Sequence, residues 1–199
     1  MSAFEHGSAA DSVSDGKHIP RTPPIVGRST LHKGGKYDVE LLKVQARDGS
    51  VRERVIIRHP GAVVIVPVLE SPSGRQIVLI RSYRLSVAAT IYELPAGTRE
   101  GPENPALCAA RELEEETGFV AGTLHPLGSF LTSPGLSDER MWAYVATDLR
   151  KTAQRLEVDE DIEVAPTPVA EVWRMLRDGT LDDGKSMTAL LTAKDRGLI

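Results

Sequence analysis

The sequence predicts a mixed α/β fold, a three-layer α/β/α sandwich preceded by a small antiparallel β-sheet. Three observations carry this. Short apolar runs bounded by turn residues recur along the chain, among them Ala62–Leu69 and Gln76–Arg84, and read as strands. The stretch from Asn104 to Gly118 carries strong start and stop signals for a helix, and two more helical stretches close the chain. Strands and helices are interspersed without strict alternation, which suits a mixed sandwich.

Length and composition bound the answer. A chain of 199 residues, 41% hydrophobic and 26% charged, can bury a core as one domain or as one domain with a small appendage. Its longest apolar run, Ala62–Leu69, is far short of the roughly 20 residues a membrane helix needs. The opening Met1-Ser-Ala-Phe-Glu lacks the basic region and apolar stretch of a secretory signal, and a single cysteine excludes an internal disulfide. The expected location is the cytoplasm, with no membrane partner. The net charge of -4 is uneven: residues 1–60 carry ten Lys/Arg against seven Asp/Glu, and the rest of the chain carries fourteen against twenty-one. Neither half has the basic stripe of a nucleic-acid binder.

Taken in order, residues 1–25 are polar, rich in serine and end in Pro20-Arg-Thr-Pro-Pro, a composition expected to stay disordered or extended. Residues 26–59 alternate, as in Tyr37–Val44 and Val51–Arg58, around the turn Arg47-Asp-Gly-Ser. That reads as a small antiparallel sheet, too thin for its own core, which must pack on the main domain or on a second subunit. The main domain, 60–199, opens with strands Gly61–Leu69 and Gln76–Arg84 and a third at Thr90–Leu94, which delivers Pro95-Ala96-Gly97 into the helix. Strands around Leu124–Thr132 and Arg140–Thr147 flank the loop Ser133–Glu139. A short strand near Ile162 precedes helices at about Pro168–Arg177 and Lys185–Arg196.

The central helix is where chemistry enters. Asn104 suits the N-cap, Pro105 the first helical position and Gly118 the residue past the end. At 100° per residue Ala106, Ala110, Leu113 and Thr117 share one face, as a core-facing stripe requires. Glu112, Glu114, Glu115 and Glu116 crowd the last turn, where like charges repel by about 0.2–0.5 kcal/mol per pair and the helix dipole presents its negative end. Such a conflict marks either a solvated acidic helix end or a site with a cation as compensator. Hard oxygen ligands without His or thiolate partners suit Mg²⁺ or Mn²⁺.

The spacing decides between these. Gly97, five residues, Glu103, seven residues, Arg111-Glu112-Leu113, one residue, Glu115-Glu116, one residue, Gly118-Phe119 resembles the Nudix box of the Nudix hydrolases at each of its nine specified positions. That family cleaves a nucleoside diphosphate linked to another moiety with metal held on a loop-helix-loop, and the resemblance implies the sandwich fold reached above. It implies that Glu112, Glu115 and Glu116 face the metals, that Glu103 and Arg111 brace the loop and helix, with Gly97 and Gly118 at the ends, and that the Ala96 carbonyl joins the metal shell. The flanks, Glu93-Leu-Pro-Ala-Gly97, Pro134 with Gly135 in the loop Ser133–Glu139, and the late Asp159-Glu-Asp-Ile-Glu-Val, resemble the ADP-ribose pyrophosphatase branch. In that branch an N-terminal sheet is exchanged between two subunits, so a homodimer is implied. The substrate implied is ADP-ribose, and the products AMP and ribose 5-phosphate.

Further candidates follow. By the resemblance, the base is Glu139, whose bland alternative is a surface acid before a strand. Arg84, at the end of its strand, suits a phosphate or ribose contact because its planar fork matches phosphate. Arg52 and Arg54 are weaker candidates for reaching a partner's site, and as alternating strand residues they equally suit solvent. Glu93 stands evenly between a substrate contact and an ordinary strand-end carboxylate. Pro134 and Gly135 complete the substrate-binding set. Tyr83, Tyr92, Trp142 and Trp173 read as packing residues, Cys108 as a small buried thiol, His59 and His125 as non-ligands, and the acidic Glu157–Glu163 stretch as a solvated loop rather than a second metal site. Two alternatives to ADP-ribose hydrolysis stay open: another nucleoside diphosphate sugar such as GDP-mannose, and a binding module that does not cleave its nucleotide.

Overall fold

The computed structural model describes residues 22–158 and 160–199, so the tail expected over residues 1–25 lies almost wholly outside the described residues. The elements in chain order are β1 (Ile25–Lys33), β2 (Asp38–Gln45), β3 (Val51–Arg58), β4 (Ala62–Ser71), β5 (Gly74–Arg84), β6 (Ala89–Glu93) and β7 (Ala96–Thr98). They continue with α1 (Pro105–Thr117), β8 (Phe119–Val120), β9 (Thr123–Leu131), β10 (Arg140–Thr147), β11 (Arg150–Lys151), β12 (Ile162–Pro168), α2 (Val169–Asp178) and α3 (Gly184–Asp195).

Strands β1 to β3 form an antiparallel sheet of their own. The expected turn closes β2 onto β3, with the Asp48 carboxylate accepting from the Ser50 amide at 3.0 Å. Only Leu42 of this sheet is a buried hydrophobic residue, whereas Ile25, Leu31, Val51 and Val55 are exposed. What fastens the sheet to the rest is one backbone pairing and one ion pair: the Ile57 amide donates to the Leu136 carbonyl at 2.9 Å, and Arg58, held within the sheet by Glu40 at 2.8 Å, reaches Asp138 at 3.0 Å.

The main sheet runs β12-β5-β4-β10-β9, with β4 and β10 parallel and the other neighbours antiparallel. Its period of two is visible in β4. Val63 and Ile65 pack with Cys108, Ala109 and Leu113 of α1, while Val64, Val66 and Val68 pack with Val172 and Met175 of α2 and Leu190 of α3. Both faces of β4 are therefore covered, which is why its sequence reads as a continuous apolar run. Each such fully buried Val or Ile contributes about 1.5–3 kcal/mol. The result is the three-layer α/β/α sandwich expected from sequence.

One irregularity positions the site. β4 and β5 pair only from Val68–Ser71 to Gly74–Ile77. Beyond that they diverge, β6 takes up β5, β7 takes up β4, and the Pro95 carbonyl accepts from the Ile65 amide at 2.9 Å. The segment Glu93–Gly97 is thus threaded into a split in the sheet and leads directly to α1. The strands β7, β8 and β11 were not expected, because two or three residues carry no readable period. The buried face of α1 also differs from the expected stripe. Leu113 and Thr117 are buried, but with Cys108, Ala109, Glu112 and Glu116, while Ala106 and Ala110 are only partly covered. The helix touches both the sheet and β7, so its covered face is wider than its apolar stripe. Tyr83, expected in the core, is exposed on β5.

Candidate active site

A cleft of about 660 Å³ opens at the split in the sheet. Its floor is β7 and the loop to Gly101, one wall is the glutamate face of α1, and another is the turn between β1 and β2 with the Arg58–Pro60 junction. Glu157 and Glu160 close a further side.

The local build of α1 follows its sequence. The Asn104 side chain accepts from the Ala106 amide at 2.8 Å, Pro105 follows, and Gly118 ends the helix in the left-handed conformation with φ 67°. No basic residue lies in the last turn. The orphan carbonyls there are taken by the segment after β11 instead: Arg155 donates its amide to Glu115, and the Gln154 side chain donates to Glu116, at 2.9 and 2.8 Å. This fastening carries Glu157 and Glu160 to the cleft.

Glu112 and Glu116 are buried, at 8% and 4% exposure. Burial pushes the Glu112 carboxyl up to about 7 against the opposing pull of Arg111, and pushes Glu116 up to about 8, with the nearby Glu112, Glu160 and Glu93 charges adding to it. Glu116 accepts one hydrogen bond, from the Ala96 amide at 2.9 Å. Arg111 is the hub of the brace: it reaches Glu103 at 3.1 Å, Glu112 at 2.7 Å and Glu115 at 3.0 Å. Hydrogen bonding to Arg111 holds the Glu103 carboxyl down at about 2. Gly97 has no side chain for a reason of space, since a Cβ there would fall 1.8 Å from the Glu112 carboxyl carbon.

The sequence candidates divide. Ala96, Gly97, Arg111, Glu112, Glu116 and Arg84 line the cleft. Glu103 and Glu115 stand just behind, each held by Arg111, and Gly118 caps the helix. Glu93 does not present a free oxygen: it is fully buried, gripped by both nitrogens of the Arg84 fork at 2.7 and 2.8 Å and by Lys185. Its position orients Arg84. Glu139 is outside the lining, because its carboxylate accepts from the Thr132 hydroxyl at 2.6 Å and faces the His59 ring at 3.8 Å. Pro134 and Gly135 are exposed on their loop, away from the lining. Arg52 and Arg54 lie on β3 away from the cleft, near Asp48 and bonded to the Glu53 carbonyl respectively. The turn at Lys33–Asp38 of the N-terminal sheet borders the cleft of its own chain.

Residues not singled out from sequence also reach the cleft, notably Lys33, Lys36, Arg58, Arg99 and Glu160. The acidic cluster at 157–163 was the available signal for Glu160, and its polar setting hid it. Lys33, Lys36 and Arg58 lie at strand ends and a turn far from the box in sequence, and Arg99 occupies one of the unspecified positions inside it, so no spacing marks any of them. Cys108 is buried as expected, and burial pushes its thiol up to about 12, which makes it inert.

The donor set fits a hard divalent cation. All the acidic groups are oxygen donors, two are buried where an isolated charge is costly, and Gly97 keeps room beside Glu112. Among the described residues no three His, Cys, Asp or Glu side chains already converge on one point. Arg111 draws Glu112 and Glu115 toward itself, acting as their counter-ion.

Known proteins resemble this chain in sequence and in fold. A family model described as the NUDIX domain matches residues 58–190. An ADP-ribose pyrophosphatase of Bacillus subtilis (strain 168) is 31% identical over 167 residues, covering 83% of this chain and 89% of that protein. A methanol dehydrogenase activator of Bacillus methanolicus is 36% identical over 162 residues, covering 80% and 86%. A solved structure described as an ADP compounds hydrolase superposes with a TM-score of 0.77 at 23% identity, over 92% of this chain and 100% of that one, and so shares the fold.

Proposed function

The chain belongs to the NUDIX family and is a Nudix hydrolase, and from this premise we propose that it hydrolyses the diphosphate of ADP-ribose to AMP and ribose 5-phosphate with Mg²⁺ or Mn²⁺. The observation that carries the reading is the pair of buried carboxylates, Glu112 and Glu116, on the wall of a cleft that Lys33, Lys36, Arg58 and Arg84 also line. A diphosphate needs cationic surroundings, and the two lysines make no salt bridge among the described residues, which leaves them available to it.

Glu112, Glu116 and the Ala96 carbonyl would hold the metal, with Glu115 joining from beside Arg111. Bound there, a divalent cation neutralises the diphosphate oxygens and lowers the pKa of water. Arg84, fixed from behind by Glu93, orients the phosphate or the ribose. The proton of the attacking water goes to a carboxylate, and Glu160 is favoured because it lines the cleft. Glu139 remains the second candidate and would need to leave Thr132 to serve.

A homodimer, in which a second copy covers the exposed apolar residues of the N-terminal sheet, belongs to the same reading. The test is turnover of ADP-ribose, GDP-mannose, UDP-glucose, NADH and a diadenosine polyphosphate with Mg²⁺, with products separated chromatographically. AMP and ribose 5-phosphate from ADP-ribose far ahead of the others is the expected result. A profile led by GDP-mannose would move the substrate, and binding without turnover of any of them would make the chain a nucleotide-binding module.

A further inference from the structure

Arg99 is a half-buried cation in an acidic neighbourhood that makes no salt bridge among the described residues. Its guanidinium is spent on carbonyls. Nε and Nη2 both donate to the Glu103 carbonyl, at 2.9 and 2.6 Å, and Nη1 donates to the Pro60 carbonyl at 3.2 Å. The same guanidinium lies over the Trp142 ring, 4.7 Å from its centroid, and the Arg99 amide donates to the Gly61 carbonyl at 3.0 Å.

Gly61 makes the stacking possible. It has φ 93°, and a Cβ there would lie 2.5 Å from the Trp142 ring. Trp142 is itself held in β10, in register with Val63 of β4 and Ser129 of β9. A rigid sheet position therefore fixes an arginine that fixes the backbone of Glu103. The Glu103 carboxylate then holds Arg111, and Arg111 holds Glu112 and Glu115.

We propose that Arg99, seated on Trp142, is a positioning residue that sets the Glu103–Arg111 brace and thereby the orientation of Glu112 and Glu115. The proposal rests on the reading of those two glutamates as metal-facing. Arg99 borders the cleft, but three of its five N–H groups are already committed, so its effect reaches the substrate through the acidic face and not by direct contact. Residues behind a ligand set of this kind change metal affinity by about 10–100-fold when removed.

The experiment is Mn²⁺ binding by calorimetry, without nucleotide, on the full chain and on the variants R99A, R99K, W142F and E112Q, followed by ADP-ribose kinetics and amide exchange at Glu103. R99A should weaken Mn²⁺ binding by about tenfold or more and lower kcat with KM little changed, and the Glu103 amide should exchange faster. R99K should fail to rescue, since an ammonium cannot fork onto one carbonyl and reach Pro60, whereas W142F, which keeps a ring face, should stay near wild type. Wild-type Mn²⁺ affinity in both R99A and R99K overturns the proposal, and so does a raised KM at unchanged metal affinity, which would make Arg99 a substrate contact. If R99A does not fold, R99K decides by the same readings. E112Q separates the premise: Mn²⁺ affinity unchanged in E112Q would remove the metal reading itself, independently of the Glu103 exchange rate in the Arg99 variants.

Discussion

At the scale of single residues, the dominant fact is that Glu112 and Glu116 are carboxyls held where water is scarce. Both have folded pKa values above the ordinary value of 4.5, at about 7 and about 8. Folding therefore favours their protonated forms. The stabilisation is complete below about pH 4.5 and is lost as pH rises through 7 and 8. Metal-free protein should lose Tm between about pH 5 and pH 8.5, and E112Q or E116Q should flatten that slope while abolishing metal-dependent turnover. Calorimetric melts across pH check this, and a large loss of metal-free stability in either variant would contradict it. Added Mg²⁺ should stabilise more at pH 8 than at pH 6, because binding must displace the protons. The base is a second residue-scale matter. E160Q should lower kcat by about 10²–10⁴-fold with Mn²⁺ binding retained, while E139Q should leave kcat close to wild type; the reverse pattern would return the role to Glu139.

At the scale of elements, two helix ends converge on the split in the sheet. The C-terminal end of α1 lacks the usual basic residues and is capped by Gln154 and Arg155, so the strain of its acidic turn is held by a neighbouring segment. The N-terminal end of α3 works from the other side. Asp183 caps it by accepting from the Ser186 amide at 3.0 Å, the Ser186 hydroxyl accepts from the Leu94 amide at 2.7 Å, and Lys185 shares the buried Glu93 carboxylate with Arg84. Replacing Lys185 with Met leaves Glu93 with one cation and should raise KM for ADP-ribose more than it lowers kcat, since Arg84 loses its fixed backing; steady-state kinetics test this. Asn104→Ala should cost about 1 kcal/mol in denaturant unfolding, because it removes the side-chain acceptor for the Ala106 amide.

At the scale of the whole molecule, the main sheet is covered on both faces and needs no help, whereas the N-terminal sheet buries almost nothing within the described residues of one chain. Yet its β1–β2 turn and its Arg58 border the cleft. A sheet that is thermodynamically dependent and functionally placed should be lost or kept together with activity. Removing residues 1–59 should therefore abolish turnover and, if a second copy covers the exposed apolar residues, convert a dimer to a monomer by light scattering. A fully active monomeric truncation would refute the shared role. Among the described residues no helix is long and apolar enough to cross a membrane.

Much of this was legible in the chain itself. The three-layer fold follows from the continuous apolar run of β4 and the caps of α1, both local patterns that report burial and termination directly. The acidic helix end was legible from its own residues, while the glycine at Gly97 and the brace Glu103–Arg111 came only as what the resemblance to the Nudix box implies, a motif short enough for one helix and one adjoining loop to carry. Tertiary structure decided what comes from far away. It made Glu93, which the sequence left evenly between a substrate contact and an ordinary strand-end carboxylate, the anchor of Arg84, left Glu139 on Thr132, brought Glu160 to the cleft, and placed Arg99 between Trp142 and Glu103. Those outcomes depend on how β4 and β5 diverge and on which segment caps α1. Such long-range packing leaves no period or spacing in the residues that it joins.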